Sequence, residues 1–152
     1  MKMLTLLLFS LVASAPFCCA ADDRLNLLSA AEQEAGWQSL FDGRTLNGWR
    51  GYRKQAFADS WAVADNAVFC TGSGNTHLIT EQVYSDFELS IDWKIAKGGN
   101  SGVLLRCDES DPYPAGCAIE LQVIDDSEGW KSVHNYGLGP GNSAGAVYGF
   151  YP

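Results

Sequence analysis

The chain has 152 residues with 10 lysines and arginines against 18 aspartates and glutamates, a net charge of −8. That length suits one domain with a sizeable core and not two. The acidic balance repels phosphate backbones and anionic lipid, which excludes nucleic acid and membrane surfaces as natural partners, whereas a neutral sugar meets no such penalty.

Residues 1–20 read as a secretory signal. Lys2 gives a short positive start and Leu4 to Val12 is an apolar run, too short for a bilayer-spanning helix, which needs about 20 residues. Ala13-Ser14-Ala15 has cleavage spacing but is followed by Pro16; Cys18-Cys19-Ala20 leads into the polar Ala21-Asp22-Asp23 and is the better site. A lipid anchor on Cys18 or Cys19 is the rival, disfavoured by bulky Phe17. The expected location is secreted or periplasmic, and no other segment could span a membrane.

Residues 21–35 form a short lead-in. Ser29 and Glu32 have capping-box spacing, Ala30, Ala31 and Ala35 favour helix, and Gly36 ends it. This is the one helix that the sequence signals. Beyond Gly36 the chain reads as strands and turns: Ser60 to Ala64, Ala67 to Thr71, His77 to Thr80, Gly102 to Cys107 and Cys117 to Ile124. Asp65-Asn66, Gly72-Ser73-Gly74-Asn75 and Lys97-Gly98-Gly99-Asn100 supply turns between them. Phe87 to Ile95 alternates over nine residues, with Phe87, Leu89, Ile91, Trp93 and Ile95 on one face, and predicts a strand with that face buried. Many short strands and sixteen glycines predict an all-β, two-sheet sandwich. Residues 137–149 are Gly-rich and carry no clear element.

Without the two signal cysteines, Cys70, Cys107 and Cys117 remain. A Cys107–Cys117 bridge would staple a hairpin across a loop holding Pro112, Pro114 and Gly116, although spacing does not fix connectivity; Cys70 would then be a buried free thiol. No pair has zinc-knuckle spacing. Asp108, Glu109 and Asp111 lack the spacing of a calcium loop and read as solvated.

The segment Ala118 to Ile124 carries the most chemistry. With Ile119, Leu121 and Val123 turned to the core, Glu120 and Gln122 share the opposite face. If that strand pairs with Gly102 to Cys107, Arg106 joins them, and a carboxylate beside a guanidinium can grip sugar hydroxyls. The bland alternative is a surface ion pair of small consequence. Asp125-Asp126 reads as a solvated turn. His134 reads as an exposed histidine. Trp37, Trp49, Trp61 and Trp93 read as core, which leaves Trp130, among polar neighbours, as the sugar-stacking candidate.

Taken in order, the segments resemble a known family. Gly36-Trp37-Gln38-Ser39-Leu40-Phe41-Asp42-Gly43-Arg44-Thr45-Leu46-Asn47-Gly48-Trp49 is similar to the opening of the 3-keto-disaccharide hydrolase family. Trp61-Ala62-Val63, Leu78-Ile79-Thr80, Tyr84 to Leu89, Gly98 to Val103, Gly116 with Ile119-Glu120-Leu121-Gln122, and Ala144 to Tyr148 follow in order. The resemblance implies a domain over residues 36–152 with a concanavalin- or LamG-like jelly-roll sandwich in an exported protein. It also implies further strands beyond Pro152, so the chain reads as truncated at its C-terminus.

The implied activity is cleavage of glycosides already oxidised at C3. The ketone acidifies the C2 hydrogen, so a modest base removes it, the C1 oxygen is expelled, and water adds back. On that resemblance Glu120 is the expected base or a metal-facing carboxylate. Asn100 and Arg106 hold keto and hydroxyl oxygens, Gln122 and Trp130 complete the substrate site, and His134 is a second candidate for proton transfer. Acid and base are not assigned separately, and a divalent ion on Glu120 with a partner stays open. A lectin-like binding module without chemistry is the alternative function, and a structural or adhesive sandwich a third. Turnover of a 3-keto-glucoside separates the first two, and the third predicts no pocket around Glu120.

Overall fold

The computed structural model describes residues 26–74 and 76–150. The expected signal segment lies outside them. The first element is helix α1 (Ala30–Glu34), which forms where its capping box predicts: the Ser29 side chain accepts from the Glu32 N–H, and the Glu32 carboxylate accepts from the Ser29 N–H at 2.7 Å. It buries none of its residues.

The described chain is all-β in class, in accord with a jelly-roll sandwich. Its strands are β1 (Trp49–Gly51), β2 (Trp61–Ala64), β3 (Ala67–Cys70), β4 (Leu78–Thr80), β5 (Asn100–Leu105) and β6 (Ile119–Ile124), joined antiparallel as β1 with β4, β2 with β3 and β5 with β6. The β2–β3 hairpin follows from its turn. Asp65 and Asn66 take φ of 50° and 58°, both left-handed, which matches the twist that a two-residue hairpin loop needs. A further segment extends the third pair: Leu121 bridges Val147, the Gln122 N–H donates to the Ala146 carbonyl at 2.9 Å, and the Gly145 N–H to that of Gln122 at 2.9 Å. The Gly-rich stretch that sequence left unassigned thus lies along the outer edge of β6.

Three expectations change. First, a second helix, α2 (Glu128–His134), stands where only strands and turns were expected; the Ser127 side chain caps it and Asn135, at φ 62°, ends it. Second, Phe87 to Ile95 has no ladder partner among the described residues, and Phe87, Ile91 and Trp93 are about half exposed. Alternation encodes a face, but a face is buried only where another layer covers it. Third, Cys70 is exposed, not buried, because it ends β3 at the surface.

The Cys107–Cys117 disulfide is present and closes the turn between β5 and β6. The loop it bounds is docked onto the strand β1 region. Arg50 grips Glu109 bidentately, Nη1 to Oε1 and Nη2 to Oε2 at 2.7 Å each, and the Arg53 N–H also donates to Glu109. The buried Tyr52 hydroxyl reaches the carbonyls of Asp108 (2.9 Å) and Asp111 (2.8 Å). Asp108 accepts from the Ser110 N–H and Asp111 from the Tyr113 N–H, so the acidic loop is internally bonded. The buried apolar side chains elsewhere are Val123, Ile124, Trp130 and Ala146. The core of the described residues therefore sits around the end of β6 and helix α2.

Candidate active site on the β5–β6 face

The β5–β6 register decides which side chains meet. Asn100 pairs with Ile124, Gly102 with Gln122 and Leu104 with Glu120, so these six side-chain positions share one face. The structure thus puts Glu120 and Gln122 on one face, as the spacing predicted, and adds Asn100 to them. It places Arg106 otherwise. Strand β5 stops at Leu105, Arg106 turns left-handed at φ 58°, and its guanidinium sits 5.9 Å from the centroid of the Phe87 ring. A strand residue carries the alternation onward only while the strand lasts.

The division of the two faces also differs from the alternation. Gln122 and Ile124 are each 2% exposed, whereas Ile119, expected in the core, is 48% exposed. Gln122 is therefore enclosed and not on an open outer sheet surface. Its Nε2 donates to Asn100 Oδ1 at 3.2 Å, while its Oε1 is buried with no partner among the described residues. An unpaired buried acceptor is costly, and such groups concentrate where a ligand or water completes them. With its Oδ1 engaged, Asn100 keeps its amide N–H donors for another acceptor.

Glu120 lies one residue pair further along the face. A Cβ added at Gly102 would overlap its Oε1 and come within 2.7 Å of its Cγ and Cδ, so the carboxylate rests directly over the bare backbone of β5. Burial pushes its pKa up, and desolvation is the single cause; among the described residues no group donates to it. A desolvated carboxylate without a donor is a stronger base than one on the surface. Among the described residues no three histidine, cysteine or acidic side chains gather in a metal-holding group. Of the six positions on this face, Glu120 alone offers a carboxylate to an ion.

His134 and Trp130 sit on α2 beside the loop that leads into β5. The His134 ring stacks on Trp130 with centroids 3.8 Å apart, and Tyr136 meets the Trp130 edge-on at 5.7 Å. Trp130 is buried and its Nε1 has no partner among the described residues. Its indole is thus packed by protein aromatics and not displayed as a sugar platform. His134 Nε2 lies 2.9 Å from the Gly98 carbonyl. A carbonyl only accepts, so that nitrogen carries the hydrogen and Nδ1 is the free one.

Sequence reasoning passed over two groups. Asp125 is no solvated turn residue: its Oδ2 accepts from the Gly98 N–H at 2.7 Å and its Oδ1 from Ser127. The Ser127 hydroxyl first, then the Gly98 N–H, hold its pKa below the usual carboxylate range. Gly102 is the other, and its meaning depends on the strand register. The Asp-x-Ser spacing at Asp125 and Ser127, common in side-chain-bonded turns, was the signal available in the sequence.

The comparisons with known proteins bear on the fold and the family. A crystal structure of a candidate glycosyl hydrolase from Parabacteroides distasonis superposes with a TM-score of 0.69 at 28% identity, covering 83% of this chain and 60% of that one. The molecule is thus of the all-β class that this fold defines. Residues 36–152 match the family described as the 3-keto-alpha-glucoside-1,2-lyase-like domain, and the chain belongs to that family. The 3-keto-disaccharide hydrolase of Bacteroides thetaiotaomicron is 36% identical over 98 residues, covering 54% of this chain. The chain spans about a third (34%) of that relative's length.

Proposed function

We propose that this chain is part of an exported carbohydrate-active protein that cleaves 3-keto-glycosides. One observation carries the reading. Glu120, in the segment Ile119-Glu120-Leu121-Gln122, holds a desolvated carboxylate with no donor among the described residues, over Gly102 and on the face that carries Asn100 and Gln122. Family membership and the name of the Bacteroides relative support the substrate class. Export rests on the Leu4–Val12 run and Ala20.

In this mechanism Glu120 accepts the proton from C2 of the 3-keto sugar. The C–H electron pair becomes the enolate, whose C3 oxygen carries the developing charge and accepts from the Asn100 amide N–H groups. Collapse of the enolate forms the C1–C2 double bond and breaks the bond from C1 to the leaving oxygen. That oxygen takes up the proton held on Glu120. Water then adds its oxygen to C1 and a proton to C2, which gives net hydrolysis. The buried Oε1 of Gln122 accepts from a sugar hydroxyl, the group that its environment lacks.

The test is Glu120→Gln, which keeps shape and removes basicity. Turnover of a 3-keto-glucoside should fall by about 100-fold or more with binding little changed. Near-normal turnover would remove Glu120 from the mechanism. Binding of the keto-sugar by the unsubstituted protein without turnover would instead establish a binding module.

A further inference from the structure

We propose that Asp125 and His134 are positioning residues that clamp Gly98 from both sides and so fix Asn100 against Gln122. The inference rests on the carbohydrate reading of the Asn100–Gln122–Glu120 face. Gly98 is two residues before Asn100, where the chain enters β5. Its N–H is held by Asp125 Oδ2 at 2.7 Å and its carbonyl by His134 Nε2 at 2.9 Å. Both polar groups of one residue are thus taken by side chains, one directly after β6 and one at the end of α2. The clamp has a third point: the Asp125 N–H donates to the Gly99 carbonyl at 3.1 Å.

Sterics add to it. Gly98 has φ of 67°, and a Cβ there would lie 2.7 Å from Val133 Cγ2 and 2.8 Å from Val133 Cβ, so α2 presses on the loop with no room for a side chain. His134 is itself held, stacked on the buried Trp130. Asp125 is held through Ser127, whose backbone N–H donates to Oδ1 at 3.2 Å. The loop therefore cannot shift without breaking three hydrogen bonds to groups that are fixed already. Asn100 inherits that position, and its Oδ1 meets Gln122 Nε2 at 3.2 Å. A side chain expected to bond a developing enolate must be held to within about 0.5 Å, and a Gly-Gly entry loop would not hold it alone.

Two substitutions separate the contributions of His134. His134→Phe keeps a ring to stack on Trp130 and loses the donor to Gly98. His134→Gln keeps an N–H donor and loses the ring. Amide hydrogen exchange on the intact chain reads the clamp, with Phe69 in β3, paired with Ala62 across the hairpin, as the internal reference. Affinity for a methyl 3-keto-glucoside, measured in a Glu120→Gln background to prevent turnover, reads its purpose. In the Phe variant, exchange at Gly98 and Gly99 should rise about tenfold with Phe69 unchanged, and affinity should fall about tenfold. The Gln variant should restore both to within about twofold.

The proposal is overturned by unchanged exchange in the Phe variant, by equal losses in Phe and Gln, or by equal acceleration at Phe69. Faster exchange at Gly98 with unaltered affinity overturns it too, because the clamp would then position nothing. A probe that fails to bind the unsubstituted chain removes the carbohydrate reading alone, and the exchange data still judge the clamp.

Discussion

The carboxylate of Glu120 lies over the backbone of Gly102, where even one methyl group would displace it. The two residues are on neighbouring strands, and Gly102 pairs with Gln122 one step along from the Leu104–Glu120 pair. Gly102→Ala should therefore move the carboxylate off this face and into water. Its raised pKa should return toward the ordinary glutamate range, which a carboxyl-detected NMR titration measures. An unshifted Glu120 titration in that variant would mean that Gly102 is a strand residue and nothing more.

Glu120 also bears on stability. Its folded-state pKa is raised by burial, so the folded chain holds the proton more tightly than the unfolded chain. Stability from this group is highest in acid and declines as pH rises through the folded-state value. Glu120→Gln should raise the melting temperature at neutral pH and leave it little changed in acid. A variant that melts lower at pH 7 would show that the carboxylate has stabilising partners.

Glu109 has the opposite sign. Its bonds from Arg50, the largest cause, hold its pKa at about 2 against an ordinary 4.5. The folded chain then binds fewer protons between those values, so the stabilisation is complete above about pH 4.5 and is lost as pH falls toward 2. Both side chains keep a quarter or more of their surface exposed, which screens the pair. Glu109→Gln should flatten this acid limb in melting curves taken from pH 5 to about pH 2.

The two isoleucines that bound β6 should differ sharply. Ile124 is 2% exposed and Ile119 48%. Ile124→Ala should cost about 2–5 kcal/mol in urea unfolding and Ile119→Ala well under about 1.5. A larger cost at Ile119 than at Ile124 would restore the simple alternation.

Removing the disulfide by a Cys107→Ser, Cys117→Ser pair should lower stability by about 2–4 kcal/mol. The loop would keep its anchors on Tyr52 and Arg50. Chemical denaturation of oxidised and double-serine proteins provides the comparison.

Much of this structure was legible where one local rule decided the outcome. Ser29 with Glu32 marked α1, and Asp65-Asn66 marked the β2–β3 hairpin, because capping and left-handed turns are settled within a few residues. The pairing of β5 with β6 was expected from two apolar runs facing a turn, and the shared face of Glu120 and Gln122 from alternation; Asn100 joins them because β5 begins two residues before the expected strand. Helix α2 was hidden because Gly129, Ser132, Val133 and His134 are poor helix formers, and the helix is held instead by Trp130 and by the Gly98 loop. Arg106 was misplaced because alternation does not say where a strand stops. The perfect pattern at Phe87–Ile95 fixed a face and could not supply a neighbour. Gly102 and Asp125 were passed over because their importance lies in contacts made across strands and loops.

The docking of Arg50 on Glu109 has a consequence for the order of events in folding. The hairpin from β5 to β6 joins residues that are near in sequence, so it can close early. Bringing Arg50 to Glu109 closes a loop of 59 residues and must await that hairpin, since Glu109 is presented by its turn. Interactions made after the transition state slow unfolding without speeding folding. Arg50→Met should thus steepen the loss of native protein in denaturant while leaving the refolding rate nearly untouched, which makes this ion pair a latch on the finished chain and not a guide to it.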